Sequence, residues 1–416
     1  MKNQFPKRMV VLLVDIFSGN FLSRLPTVLL LACQLAFLAG PADAAPRRPS
    51  DDAEVLERLP LRPGDPVARE LADLRRAWRA QPQDAEAAVA LARRYYTLVG
   101  QEGDPRYLGY AQAALAPWWN LAAPPVEVQV LRAGLRQFTH DFDGAVADLD
   151  AVLQRQPGHA GALALRATIA IVQARYAAAR SDCRALSANW GPLLSTACTA
   201  MVDGLTGQAG PAYSRLRDAL QAHPGALPGE KLWALLRLAE IARRLGDTEV
   251  AELHFRQALA LNIEDSFLLA AYADLLLDLD RPAEVLRLLK DRQASDGLLL
   301  RLVLAERQLG APQAQARTLS LSARYAASRL RGDTVHEQEE ARFMLATGQD
   351  PRQALRLASH NWTLQREPRD ARVLLEAALA ARDTAAAQPV LQWLQANRVQ
   401  DVVLHDLARQ LQELPR

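Results

Sequence analysis

The clearest hydrophobic pattern in the chain runs over residues 238–259, LAEIARRLGDTEVAELHFRQAL. Apolar positions recur at helical spacing on both sides of Gly246-Asp247, so the pattern predicts two amphipathic helices joined by a tight turn. Ala239, Ala251 and Ala258 put small side chains where a second helix must approach closely. The same period returns along most of the chain. Leu71, Leu74, Ala77 and Trp78 share one face of a helix that stops near Gln81-Pro82. Residues 85–119 give a stretched pair, with Leu91, Ala92 and Tyr95 on its first helix and Ala111 and Leu115 on its second. Further on, the pattern predicts helices over 300–310 and 312–330, pairs over 339–347 with 351–364 and 370–381 with 385–394, and a last helix over 402–414. No stretch shows the alternation a strand requires, so the chain reads as all-α.

Residues 238–259 closely resemble a tetratricopeptide repeat. That family has small residues at repeat positions 8, 20 and 27, a turn glycine and a large apolar residue at position 24; here these are Ala239, Ala251, Ala258, Gly246 and Phe255. With position 20 as the marker, Ala145, Ala179, Ala212, Ala251 and Val285 lie 34, 33, 39 and 34 residues apart. The turn residues His140, Ala174, Gly207, Gly246 and Asp280 keep those spacings, and Pro157 and Pro224 each follow a marker by 12 residues. The resemblance implies a right-handed tetratricopeptide-repeat solenoid of about eight to nine helical pairs over residues 67–414. The 39-residue interval contains PGALPG at 224–229, read as a rigid turn that offsets one block of repeats from the next.

The N-terminus stands apart from this pattern. Lys2, Lys7, Arg8 and Arg24 precede an apolar run over 27–40, and Ala42-Asp43-Ala44 then offers the small residues of a signal-peptidase site. Residues 1–44 read as a signal peptide cleaved after Ala44, 45–66 as a Pro- and Arg-rich linker, and the location as periplasmic. An uncleaved anchor, a lipid anchor at Cys33 and a start at Met9 are alternatives. Removing the leader takes four basic and two acidic residues from totals of 49 and 47, leaving 45 of each sign. With both signs interspersed along the helices, nothing marks a nucleic-acid groove or an acidic membrane footprint.

Little else points to chemistry. Cys183 and Cys198 fall on adjacent helices at similar height, equidistant from the turn at 189–192, and export favours a disulfide between them. The seven histidines form no ligand pair at helical spacing, and no phosphate loop or nucleophile elbow occurs, so no catalytic residue, metal or cofactor is expected. Trp118-Trp119, Trp362 and Trp393 read mainly as core. In tetratricopeptide-repeat proteins, positions 2, 5, 9 and 12 of each first helix face a concave groove. Carried over, this implies a partner groove including Val130, Ala164, Thr168, Ala197, Met201, Leu236, Glu240, Arg243 and Asp274. The Lys and Asn residues with which some members clamp a carboxylate are absent from these positions. The expected function is a non-catalytic periplasmic scaffold whose groove takes an apolar helix or extended segment of a protein or peptide partner. The alternatives are a membrane-tethered assembly factor, attached only through an uncleaved leader or lipid anchor, and an RNA-binding helical repeat, which the neutral charge disfavours.

Overall fold

The structure is a computed structural model that describes residues 64–187 and 190–414. The expected leader and nearly all of the expected linker lie outside the described residues. Among the described residues there is no strand. A lone helix, α1 (Pro66–Ala80), is capped by the Asp65 carboxylate, which accepts from the Val67 and Ala68 amides. Nine helical pairs follow. The first is α2 (Ala85–Glu102) with α3 (Arg106–Ala114), which a break at Leu115 continues as the single turn α4 (Ala116–Trp119). Next come α5 (Val126–Phe138) with α6 (Phe142–Arg155), α7 (Ala160–Val172) with α8 (Tyr176–Leu186), and α9 (Pro192–Asp203) with α10 (Ala209–Ala222). The middle holds α11 (Pro228–Leu245) with α12 (Thr248–Leu259), and α13 (Ser266–Asp278) with α14 (Pro282–Leu288). The last pairs are α15 (Asp296–Leu309) with α16 (Ala314–Arg331), α17 (Glu337–Thr347) with α18 (Pro351–Leu364), and α19 (Pro368–Ala381) with α20 (Gln388–Asn397). A final helix, α21 (Val402–Gln412), closes the chain.

One local device repeats through the pairs. From α5 onward, every first helix ends on a residue with positive φ: His140, Ala174, Gly207, Gly246, Asp280, Gly310, Gly348 and Arg382. The amide of the following residue bonds back to the carbonyl five residues earlier, as Asp141 does to Arg136 and Asp247 to Ala242. This is the Schellman closure, which ends a helix and reverses the chain within a few residues. The turn residues therefore carry the repeat past Asp280, where the sequence marker loosens. The interval falls to 30 residues because α14 has only 7, and rises to 38 where α16 has 18. At the closest helix contacts, Ala145, Ala179, Ala212, Ala251 and Val285 are completely buried.

A second repeated feature is polar. Arg132 on α5 forks onto Asp148 on α6, and one repeat later Arg166 on α7 forks onto Asp182 on α8. Both members of the first pair are at most 5 % exposed, and Arg132 also donates to the carbonyls of Trp118, Trp119 and Leu121. The pair thereby ties the first repeat to the second.

The solenoid does not remain open. In a simple repeat array each unit touches only its neighbours, but here the C-terminal helices fold back onto the turn edge of α5–α11. His140 accepts from the Gln365 side-chain amide at 2.5 Å, and the Arg366 amide donates to the Val172 carbonyl at 2.7 Å. The Trp393 indole N–H donates to the Tyr176 hydroxyl at 3.1 Å, and the Gln400 side chain accepts from the Ala209 amide at 2.8 Å. The turn glycines leave room for this approach. A Cβ at Gly207 would stand 3.0 Å from that of Arg398, and one at Gly246 would stand 3.4 Å from Val402. At the other end of the chain, Ser266 donates to the Gly100 carbonyl at 2.8 Å.

Candidate binding groove

The inward faces of α5, α7, α9 and α11 line an open, apolar groove of about 690 Å³. Its floor is Val130, Ala164, Leu165, Thr168 and Leu194, with Gly134 and Gly161 among the lining residues. At Gly134 a Cβ would fall 2.8 Å from the Tyr96 ring, so a larger residue there would displace that ring. Trp190 and Trp233 meet edge to face at 6.0 Å and form one wall. Leu227, 67 % exposed, and Gly229 form the rim. Both come from the PGALPG insertion, so the long interval in the repeat supplies a lip. Polar atoms here are largely silenced. The Thr168 hydroxyl donates to the Ala164 carbonyl, burial pushes the Tyr96 phenol up to about 12, and Glu230 accepts from the Leu227 amide at 2.9 Å.

The other sequence-predicted positions divide differently. Ala197 and Leu236 do not face the groove: they are 0 % and 4 % exposed within the helix core. Ala197 shares a buried cluster with Ala234 and Leu238 where α9 and α11 approach closely, and Leu236 belongs to a second cluster with Leu268 and Tyr272 of α13. Met201, Glu240 and Arg243 line a second cavity, of about 60 Å³, that Pro368 and Arg369 of α19 complete. Asp274 lines a third space beside it, of about 30 Å³. These four residues face inward, but the protein's own C-terminal helices cover them.

The charged patch is likewise engaged within the chain. Glu240 pairs with Arg237 at 2.8 Å, while Arg243 reaches Asp278 at 3.6 Å beside Arg372 of α19. Asp274 receives Arg301 at 2.6 Å and Arg342 of α17 at 2.6 Å. Burial alone would raise the Asp274 carboxyl, but the two guanidiniums outweigh it and hold it well below the usual range. Two other groups at the fold-back respond mainly to burial. His140 is lowered to about 4, with Glu339 opposing and Arg369 assisting, and Asp370 at the start of α19 is raised to about 7 against the pull of Arg369.

Cys183 and Cys198 form a disulfide between α8 and α9, with Cα atoms 5.4 Å apart. Trp118 is 9 % exposed and Trp119 is partly buried beneath Arg136. Trp362 and Trp393 pack edge to face at 5.4 Å in the C-terminal core. Among the described residues no cluster of three metal-ligating side chains occurs, and no helix is long and apolar enough to cross a membrane. Sequence reasoning missed Tyr96, Leu165, Trp190 and Leu227 as groove residues. Of these only Leu227 left a signal, an isolated large apolar residue inside a Pro-Gly segment.

No family profile matches the sequence, and no curated protein matches it. Solved structures do. A chain of the APC/C hetero-tetramer Cut9-Hcn1 superposes with a TM-score of 0.50 at 12 % identity, covering 83 % of this chain and 67 % of that one. A tetratricopeptide repeat protein from Parabacteroides merdae aligns at 14 % identity with a TM-score of 0.41, covering 62 % of this chain and 91 % of that one. At these identities the likeness concerns the fold.

Proposed function

From the premise that the chain has the fold of the tetratricopeptide-repeat proteins, an all-α repeat solenoid, we propose that it is a non-catalytic scaffold that holds an apolar helix or extended segment of a protein partner in the periplasm. The open groove carries this reading. It presents Val130, Ala164, Leu165 and two tryptophans to solvent, whereas the neighbouring inward surface is already covered. A groove with few polar partners favours an apolar ligand, because a polar one would lose its water without replacement. The Trp190–Trp233 corner is the place for an anchoring side chain. Periplasmic placement draws on the leader pattern of residues 1–44 and on the Cys183–Cys198 disulfide, since such bonds persist in oxidising compartments.

A photo-crosslinking residue at Leu165 should give a discrete adduct in intact cells, and one at the exposed Leu253 should not. The double substitution Ala164→Arg and Thr168→Arg should remove the Leu165 adduct while the helical signal and unfolding midpoint stay close to wild type. An adduct that survives both arginines would refute the groove assignment. Sequencing the N-terminus of the fractionated protein tests the location: it should begin at Ala45, and recovery from the cytoplasm with residues 1–44 attached would refute export.

A further inference from the structure

The cavity beneath α19 contains a charge imbalance that the fold itself does not resolve. Arg237, Arg243, Arg244 and Arg369 line it against two carboxylates, Glu240 and Glu367. Three of the arginines have partners: Arg237 with Glu240, Arg243 with Asp278, and Arg369 with Glu367. Arg244 has none. It is 8 % exposed, no described carboxylate lies within ion-pairing distance of it, and its Nε makes no hydrogen bond. The Arg237 Nε is equally buried and unpaired. Two of the six such buried side-chain atoms among the described residues therefore belong to arginines that line one cavity. Burying a cation without an anion is strongly unfavourable, and burial pulls Arg244 toward deprotonation against the attraction of Glu240 and Asp401. The backbone nevertheless makes room for it: a Cβ at Gly204 would stand 2.9 Å from an Arg244 terminal nitrogen, so glycine admits the guanidinium.

We propose that this cavity is a binding site for a phosphate-type tetrahedral oxyanion, held by Arg244 and Arg237 of α11 and closed by Arg369 of α19. Its volume of about 60 Å³ accommodates about four oxygen-sized spheres at the ~10–15 Å³ that each needs. With Arg237, Arg243 and Arg369 paired to Glu240, Asp278 and Glu367, Arg244 leaves one positive charge, which a phosphate monoanion balances. Planar guanidiniums arriving from two helices also suit an anion with acceptors on every side better than a two-oxygen carboxylate. Bound there, the anion bridges α11 to the fold-back and holds α19 down. The site lies outside the open apolar groove, and this inference does not depend on the scaffold reading.

The test is calorimetric titration and thermal unfolding of the full mature chain in phosphate-free buffer, adding inorganic phosphate against chloride at matched ionic strength. Phosphate is expected to bind with one-to-one stoichiometry and to raise the unfolding midpoint saturably, whereas chloride does neither. In Arg244→Met, phosphate affinity should fall roughly tenfold or more. Because that substitution also removes an unpaired buried charge, its unfolding midpoint without phosphate should equal or exceed that of wild type. An Arg244→Lys variant, which keeps the charge but not the planar fork, should retain weakened binding. O-phosphoserine is the second probe: binding as tight as that of inorganic phosphate identifies an attached phosphoryl group as ligand, and binding of inorganic phosphate alone identifies the free ion. Equal shifts from phosphate and chloride, or an unchanged phosphate response in Arg244→Met, would overturn the proposal.

Discussion

At the scale of single residues, backbone conformation dictates several choices that side-chain contacts do not explain. Asp280 is exposed and sits at φ 54° with no side-chain hydrogen bond, so it bears the left-handed strain without compensation. Asp280→Gly is expected to stabilise the protein by about 1 kcal/mol, read from the chemical-denaturation midpoint. Gly207→Ala should do the reverse. It combines φ 78° with a Cβ 3.0 Å from that of Arg398, and a loss of about 2 kcal/mol is expected in the same measurement. The spacing of His140, Ala174, Gly207, Gly246 and Asp280 was legible in the sequence as a period, and the left-handed backbone is its cause. His140 has a second role that the spacing concealed. Its folded value of about 4 lies below the ordinary 6.5, so the stability it contributes is present above pH 6.5 and is lost as pH falls toward 4. Asp370 runs the opposite way: raised to about 7, its contribution is present below its ordinary 3.8 and is lost as pH rises through 7. The informative quantity is therefore the difference between wild type and His140→Asn, a residue that tolerates the left-handed turn. Wild type should lose about 2 kcal/mol more than the variant between pH 7 and 4.

At the scale of elements, paired helices are fixed by cross-links that differ in how visible they were. The disulfide could be inferred because repeat register set both cysteines at one height. Reduction should lower stability by about 3 kcal/mol for a loop of 15 residues, with the reduced Cys183→Ala, Cys198→Ala protein unaffected by reductant. The buried Arg132–Asp148 fork and its echo at Arg166–Asp182 repeat at the same period. They passed unnoticed because arginine and aspartate are common throughout the chain, and periodicity arguments weigh apolar positions. Asp148→Ala would strand Arg132 at 4 % exposure, and a loss of about 3–5 kcal/mol in the denaturation midpoint is expected. Of the first-helix positions, Val130, Ala164 and Thr168 line the open groove, whereas Ala197 and Leu236 are buried in the helix core. A family position specifies a direction on the helix, while the distance to the next helix decides whether that direction leads to solvent.

For the whole molecule, the fold was legible and its closure was not. Every helical pair could be read from local periodicity, but the contacts that fold α18–α21 onto the earlier turns join residues 191 to 225 positions apart. Nothing in a local pattern distinguishes a helix that ends an array from one that returns to it. Trp393 marks the return, since it packs on Trp362 and donates to Tyr176. Trp393→Ala should cost about 3–5 kcal/mol, and amide exchange should accelerate both in α20 and α21 and at the His140 and Ala174 turns. Acceleration confined to α20 and α21 would mean that these helices do not hold the turns. The closure also bears on how the protein is made. Synthesis runs from the N-terminus, so α5–α13 are complete before α19 exists. Until α19 emerges, the surface bearing Met201, Arg244 and Phe267 lacks the cover that Pro368 and Arg369 give it, and the chain must pass that interval with an adhesive inner face open to its surroundings.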